Sequence, residues 1–297
     1  MIIQPAMSLG IVFKGAEGIV LAADSRVTLM TLTTTPGLQG TPQPTLMPST
    51  FDNASKLLSV KGQKYVGAVT FGAGSIGAAA PRTANSFLPE FEEELRDETD
   101  GAEVRLSVEA FATKLGAFFL RQWNQGGMPN PIPPGQQMIF YVGGYDEKAP
   151  YGKLFQLSIP GMPVPVEMIP GGNFGAVWGG QREITDRLLQ GFDGRLPDMA
   201  QDLLGIDAAS RKPDLEAQLK QRLALPIPMQ FLPLQDCVDL TIFLVRSTIL
   251  LQQWIVGLRG VGGAVDVATI TRTDGFKEIQ VKQIMGDKAS MRRRKED

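Results

Sequence analysis

The chain has 297 residues, 43% hydrophobic and 20% charged, with 29 basic residues against 31 acidic ones. That length buries a large core without staples, and a net charge of −2 gives no field directed at nucleic acid or an anionic membrane. Histidine is absent and Cys237 is the one cysteine, which excludes a Ser-His-Asp triad, a Cys-His pair, His-ligated zinc or haem, and any intramolecular disulfide.

Residues 8–14 (SLGIVFK) and 18–24 (GIVLAAD) are apolar runs of strand length around a glycine-bracketed turn, GAEG, and predict a β-hairpin. Residues 28–55, rich in Thr, Pro and Gly without amphipathic period, read as a long loop. Lys56 to Val60 and Tyr65 to Phe71 predict a second hairpin. Phe87, Phe91 and Leu95 recur at helical spacing with Glu92 to Glu94 turned outward; Val108, Phe111, Leu115, Phe118 and Phe119 mark a second helix. The segment GGMPNPIPPG (126–135) breaks it.

Strands follow at 137–143, 153–159 and 166–169. The glycine-rich stretch 171–180 lacks the Lys-Ser/Thr of a phosphate loop, reads as turns bordering a cleft, and leads into a helix at 181–192. A short helix spans Asp214 to Leu223, and a long, mostly apolar helix at 236–256 should lie between layers. Strands at 265–272 and 277–284 close the chain. Strands adjacent in sequence with short turns imply antiparallel sheets. Two such sheets flanked by helices predict an α+β fold in one domain over 8–286, with 1–7 a leader or mis-assigned start and 287–297 a basic tail.

No run of 18 apolar residues appears, so no membrane span is expected. The opening MIIQPAMSLG has no basic n-region, and the single cysteine suits a reducing cytoplasm. Nothing in the composition calls for a cofactor, a metal or nucleic acid. Proton chemistry would fall to an amine, carboxylates or hydroxyls.

Four stretches carry a family resemblance: SLGIVFKGAEGIVLAADSRVT, FDNASKLLSV, MIFYVGGYD and GGAVDVATITRTDGF, in this order along nearly the whole chain. They resemble proteasome-type β subunits, including the bacterial ring proteases of that family. The resemblance implies the N-terminal nucleophile hydrolase fold, a four-layer αββα sandwich, and self-association into rings. It implies a peptide or unfolded-protein substrate, and leaves any partner unfoldase unspecified.

In that family the nucleophile is the hydroxyl of the mature N-terminal residue, normally threonine, yet no threonine here precedes Thr28. Two registers compete. Anchoring on Gly10–Ile11 puts Ala6 at the nucleophile position and makes the subunit inert. Anchoring on Asp24, sixteen residues after Ser8, makes Ser8 the nucleophile, and the centred GAEG turn sets the two opposite or diagonal on the hairpin. A start at Met7, or loss of 1–7, would expose Ser8. Its α-amine, with a pKa of roughly 7.7–8, then serves as the base that a histidine-free chain lacks.

By the same resemblance Lys56 supplies the nearby positive charge, Asp24 holds Lys56, Gly72 lies at the oxyanion site, and Arg26 braces the Asp24 region. One departure is chemical: VGLRGVGG carries no acid or hydroxyl where the family has a Ser/Asp cluster, and no serine stands near Trp178–Gly180. The function expected is hydrolysis of peptide amide bonds. The alternatives are an inert structural or gating subunit and a non-proteolytic amidase or ligase on the same fold.

Overall fold

The computed structural model describes residues 8–36, 42–78, 80–98, 101–102, 104–133, 135–204 and 208–283. The leader at 1–7, the end of the domain at 284–286 and the basic tail at 287–297 lie outside the described residues. The fold is α+β with antiparallel sheets. Leu9–Lys14 (β1) and Ile19–Asp24 (β2) form the first hairpin around GAEG, with Gly10 opposite Ala23. A five-stranded sheet is completed by Gly175–Gly180 (β10) beside β1 and by Val265–Thr271 (β11) and Gly275–Gln280 (β12) beyond β2.

A second five-stranded sheet runs in simple sequence order: Leu57–Leu58 (β5), Val66–Gly72 (β6), Met138–Gly144 (β7), Lys153–Ile159 (β8) and Met162–Glu167 (β9). Alternation along the strands divides the core into three clusters. In β1, Leu9, Ile11 and Phe13 join Val20 and Ala22 of β2 against Cys237, Val238, Leu244 and Val245. Their neighbours Val12, Ile19 and Leu21 face the other way and meet Val69, Phe71 and Tyr141 of the second sheet.

The opposite face of that second sheet, with Ala68, Phe140 and Val142, packs on Leu88–Asp97 (α1) and Val108–Gln125 (α2). Tilted and edge-on ring pairs, Phe87 with Phe119, Phe91 with Phe118, Phe118 with Phe119 and Phe119 with Phe140, fill this cluster. Each such pair adds about 0.5–1.5 kcal/mol beyond its buried area. Ser107 caps α2 by accepting from the Ala110 N–H at 3.1 Å.

Phe71 explains two glycines in β1 and β10. A Cβ on Gly10 would lie 2.5 Å from its ring, and one on Gly179 would lie 2.4 Å from it. The sheets approach there as closely as a bare backbone permits.

Several expectations need correction. The long loop at 28–55 is mostly a β-ribbon, Val27–Pro36 (β3) and Pro42–Phe51 (β4), in register from Val27↔Phe51 to Pro36↔Pro42. Its threonines favour extended backbone, and its prolines, which suggested a loop, all fall in one alternate set of facing pairs. The glycine-rich stretch supplies strand β10 as well as turns: it pairs along β1 from Leu9↔Gly180 to Lys14↔Gly175, and Gly179 lies against the Phe71 ring.

The helix at 181–192 shrinks to Glu183–Leu189 (α3), and Arg195–Leu204 (α4) and Ala208–Leu223 (α5) follow. The long apolar helix is Leu234–Gln252 (α6). It buries one face on the first sheet, while Phe243, Leu250 and Leu251 stay exposed, so among the described residues it is not enclosed between layers. No helix of the described residues is long and apolar enough to cross a membrane.

Candidate active site

The hairpin brings Leu9 across from Asp24, and Ser8 follows immediately at the mouth of β1. Lys56 enters from the other sheet: it precedes β5, and its carbonyl accepts from the Thr70 N–H at 2.9 Å. The three predicted residues therefore meet where the ends of the two sheets converge. Lys56 Nζ donates to Ser8 Oγ at 3.0 Å and to Asp24 Oδ1 at 2.6 Å. All three side chains are buried, Asp24 completely.

A carboxylate without water needs a donor for every lone pair. Asp24 has four. Its Oδ1 accepts from Lys56 and from the Leu9 N–H at 3.0 Å. Its Oδ2 accepts from the N–H groups of Arg26 (3.1 Å) and Gly262 (3.0 Å). Burial pushes the Lys56 ammonium below its ordinary value, and the Asp24 charge opposes that shift.

Backbone also fixes the other side of Ser8. The Gln181 N–H donates to the Ser8 carbonyl at 2.8 Å. Gly180, at φ +93°, passes so close that a Cβ would sit 1.9 Å from that oxygen. Ser8 is thus held between Asp24, Lys56 and the end of β10.

Arg26 does not face Ser8. Its Nε and second guanidinium nitrogen donate to Asp52 at 2.5 and 2.8 Å, and the remaining nitrogen donates to the Arg259 carbonyl at 3.1 Å. It clamps the base of the β3–β4 ribbon to the 259–262 segment beside Asp24, a bracing position. That segment, VGLRGVGG, has no acid or hydroxyl, and its contribution is made by backbone: the Gly262 N–H and the Arg259 carbonyl.

Gly72 ends β6 at φ +89°, against the Gln137 carbonyl. A small recess beside Ser8 is lined by Lys56, Thr70, Phe71, Ala73, Gly74 and Val27, among others, and has room for about one water molecule. Gly72 itself does not line it. The Thr70 hydroxyl there is buried and has no hydrogen-bond partner among the described residues.

A second Ser-Asp-Lys cluster adjoins the first and was not foreseen. Ser25 Oγ donates to Asp266 Oδ2 at 3.3 Å, Lys282 Nζ donates to Ser25 Oγ at 3.1 Å, and Lys282 also pairs with Asp266. Ser25 and Asp24 are consecutive, so the two clusters share one strand end. The charges of Lys282 and Asp266 act on Lys56 in opposite senses.

A larger cavity nearby is lined by Gln181, Arg182, Asp186, Arg187, Asp193 and Arg195, among others. Its three arginines are paired, Arg182 with Asp186 and the other two with Asp193. Among the described residues no group of three or more His, Cys, Asp or Glu side chains is placed to hold a metal ion. No protein-family model matches the chain, and no curated protein matches it.

Proposed function

We propose that the chain is a proteasome-type N-terminal nucleophile hydrolase subunit that cleaves amide bonds of peptides and unfolded proteins with Ser8. The observation that carries this reading is the position of Lys56 Nζ, bonded at once to a buried serine hydroxyl and a fully satisfied buried carboxylate. Two antiparallel sheets sharing a core, each with helices on its other face, support the four-layer αββα sandwich of that class. The exposed apolar residues of α6 and of 254–256 support self-association into rings.

The chemistry needs residues 1–7 to be absent. The nitrogen of Ser8 is then an amine. It takes the Oγ proton, directly or through a water, as Oγ adds to the substrate carbonyl carbon. The Lys56 charge lowers the amine's proton affinity and favours the developing alkoxide, while Asp24 keeps Lys56 in place. Collapse of the tetrahedral intermediate breaks the C–N bond, and the ammonium returns its proton to the departing amine. Water then attacks the acyl ester, the same amine acting as base, and Ser8 is regenerated.

With residues 1–7 attached, the Ser8 nitrogen is an amide and cannot serve as the base, which leaves a structural or gating ring subunit as the alternative. Ser8→Ala in the processed protein tests the reading. Hydrolysis of short fluorogenic peptide amides should disappear while the fold persists; activity surviving in Ser8→Ala would end it.

A further inference from the structure

Ser25, directly after Asp24, is fully buried, and its polar atoms engage three other parts of the chain. Its N–H donates to the Gly262 carbonyl at 3.0 Å, and its carbonyl accepts from the Ala54 N–H at 3.0 Å. Its hydroxyl donates to Asp266 Oδ2 and accepts from Lys282 Nζ. Two of these segments belong to the Ser8 site. Gly262 also donates its own N–H to Asp24 Oδ2, so one residue grips Asp24 and Ser25 together. Ala54 stands two residues before Lys56. The relative placement of the Asp24 carboxylate and the Lys56 ammonium therefore passes through Ser25.

The hydroxyl end is anchored by a buried ion pair. Lys282 pairs with Asp266 at side-chain exposures of 14% and 4%, and the Lys282 N–H donates to Asp266 Oδ1 at 3.0 Å. Asp266 lies on β11 opposite Ala23 of β2. Gln280 Nε2 donates to the Val265 carbonyl at 2.7 Å, which holds the chain after β12 against β11. Without Lys282, the Asp266 carboxylate would be buried without its counter-charge and would draw in water or a proton. Ser25 would then lose its anchor. Neither Lys282 nor Asp266 lines the Ser8 recess, so an effect on the reaction must be transmitted.

We propose that Lys282 and Asp266 are positioning residues of the Ser8 site: by fixing Ser25 they set Asp24 and the 54–56 segment so that Lys56 meets the Ser8 hydroxyl. The segment just after β12 is thereby part of the framework of the site. Its effect on turnover rests on the hydrolase reading; the brace itself does not.

The test is steady-state hydrolysis of short fluorogenic peptide amides by the processed protein and four variants. Lys282→Met should lower kcat about tenfold or more per folded molecule and leave KM within about twofold. Lys282→Arg keeps the charge and should recover most of the loss. Ser25→Ala leaves the Lys282–Asp266 pair in place, which protects the fold, and its kcat should fall as well.

The pH profile supplies a readout that a purely structural role would not move. Lys56 faces Asp24 on β2, Asp266 on β11 and Lys282 after β12, and it acts on Asp52, the partner of Arg26. Lys282 disfavours the Lys56 charge and Asp266 favours it. Lys282→Met should therefore move the high-pH limb of kcat/KM, where Lys56 gives up its proton, to higher pH. Asp266→Asn should move it to lower pH.

Hydrogen exchange reads the brace without turnover. In Lys282→Met the Ser25 and Ala54 amides should exchange faster by a larger factor than the mid-strand Leu21 amide. Variants that lose stability yet keep the parent's kcat and limb positions overturn the proposal. So do limb shifts of one sign in Lys282→Met and Asp266→Asn, or exchange at Ser25 and Ala54 that changes no more than at Leu21. Selective exchange at these amides in a protein that hydrolyses no peptide would remove the hydrolase reading and leave the brace standing.

Discussion

Asp24 and Lys56 form an ion pair at 2.6 Å with side-chain exposures of 0% and 5%. Two charges taken this far from water cost several kcal/mol each to desolvate, and the pair is sustained only because every Asp24 lone pair has a donor. Its value to the protein therefore lies in position: it holds an ammonium against the Ser8 hydroxyl.

Removing one partner leaves the other buried without its counter-charge. Lys56→Met should destabilise the fold by about 3–5 kcal/mol and abolish peptide hydrolysis. Ser8→Ala should abolish hydrolysis while costing about 1 kcal/mol or less. Urea unfolding of the two variants beside the parent separates these effects. Equal stability in all three would mean that the pair is not buried as described.

Gly180→Ala addresses the other side of Ser8. The φ of +93° strains any side chain there, and the added Cβ would meet the Ser8 carbonyl at 1.9 Å. Backbone must move, and Ser8 sits on it. A stability loss of about 2–3 kcal/mol or more is expected, with a fall in kcat that Gly179→Ala, which meets the Phe71 ring instead, should not reproduce to the same degree relative to its own stability loss. Full activity in Gly180→Ala would contradict the placement of β10 against Ser8.

Tyr141 gives a pH signature. Burial between the sheets pushes its phenol up to about 12. The native protein then keeps a proton that the unfolded chain releases near pH 10. This contribution is fully present below pH 10 and is lost as pH rises from 10 to 12, about 2–3 kcal/mol in all. Burial lowers Lys56 and Lys14 and works in the opposite sense below the ordinary lysine range. The measurement is therefore the difference between the parent and Tyr141→Phe: the parent's stability advantage should shrink across pH 10–12. A pH-independent difference would place the phenol in water.

Cys237 is fully buried under β1 and β2, and burial raises its thiol to about 11. Its thiolate fraction at pH 8 is negligible. Reaction with a thiol reagent should proceed only at the rate of unfolding and reach one equivalent in denaturant. Rapid labelling of the folded protein would show that α6 does not cover it.

Much of the site was legible because it is local or nearly so. The glycine-bracketed GAEG turn fixes the hairpin register, and that register sets Asp24 beside the start of β1. Lys56 was legible only through the stretch FDNASK, since no periodicity links it to Ser8. The Ser25–Asp266–Lys282 cluster left no local signal: its members lie 241 and 16 residues apart, and only the pairing of β2, β11 and β12 brings them together.

The β3–β4 ribbon was hidden for a different reason. Proline and glycine density suggests a loop, and the placement of the prolines on one alternate set of positions has meaning only once a partner strand is known. Likewise, β10 looked like turns because Phe71, far away in sequence, is what requires its glycine at 179.

Hydrolysis by Ser8 requires it to become the first residue. The most direct test is the intact mass and N-terminal residue of the protein expressed from its own start. The expected result is a chain beginning at Ser8, lighter than the 32.2 kDa of the full sequence by the mass of residues 1–7, and active on peptide amides. A chain that retains residues 1–7 has no free amine at Ser8, and would contradict the hydrolase in favour of an inert ring subunit.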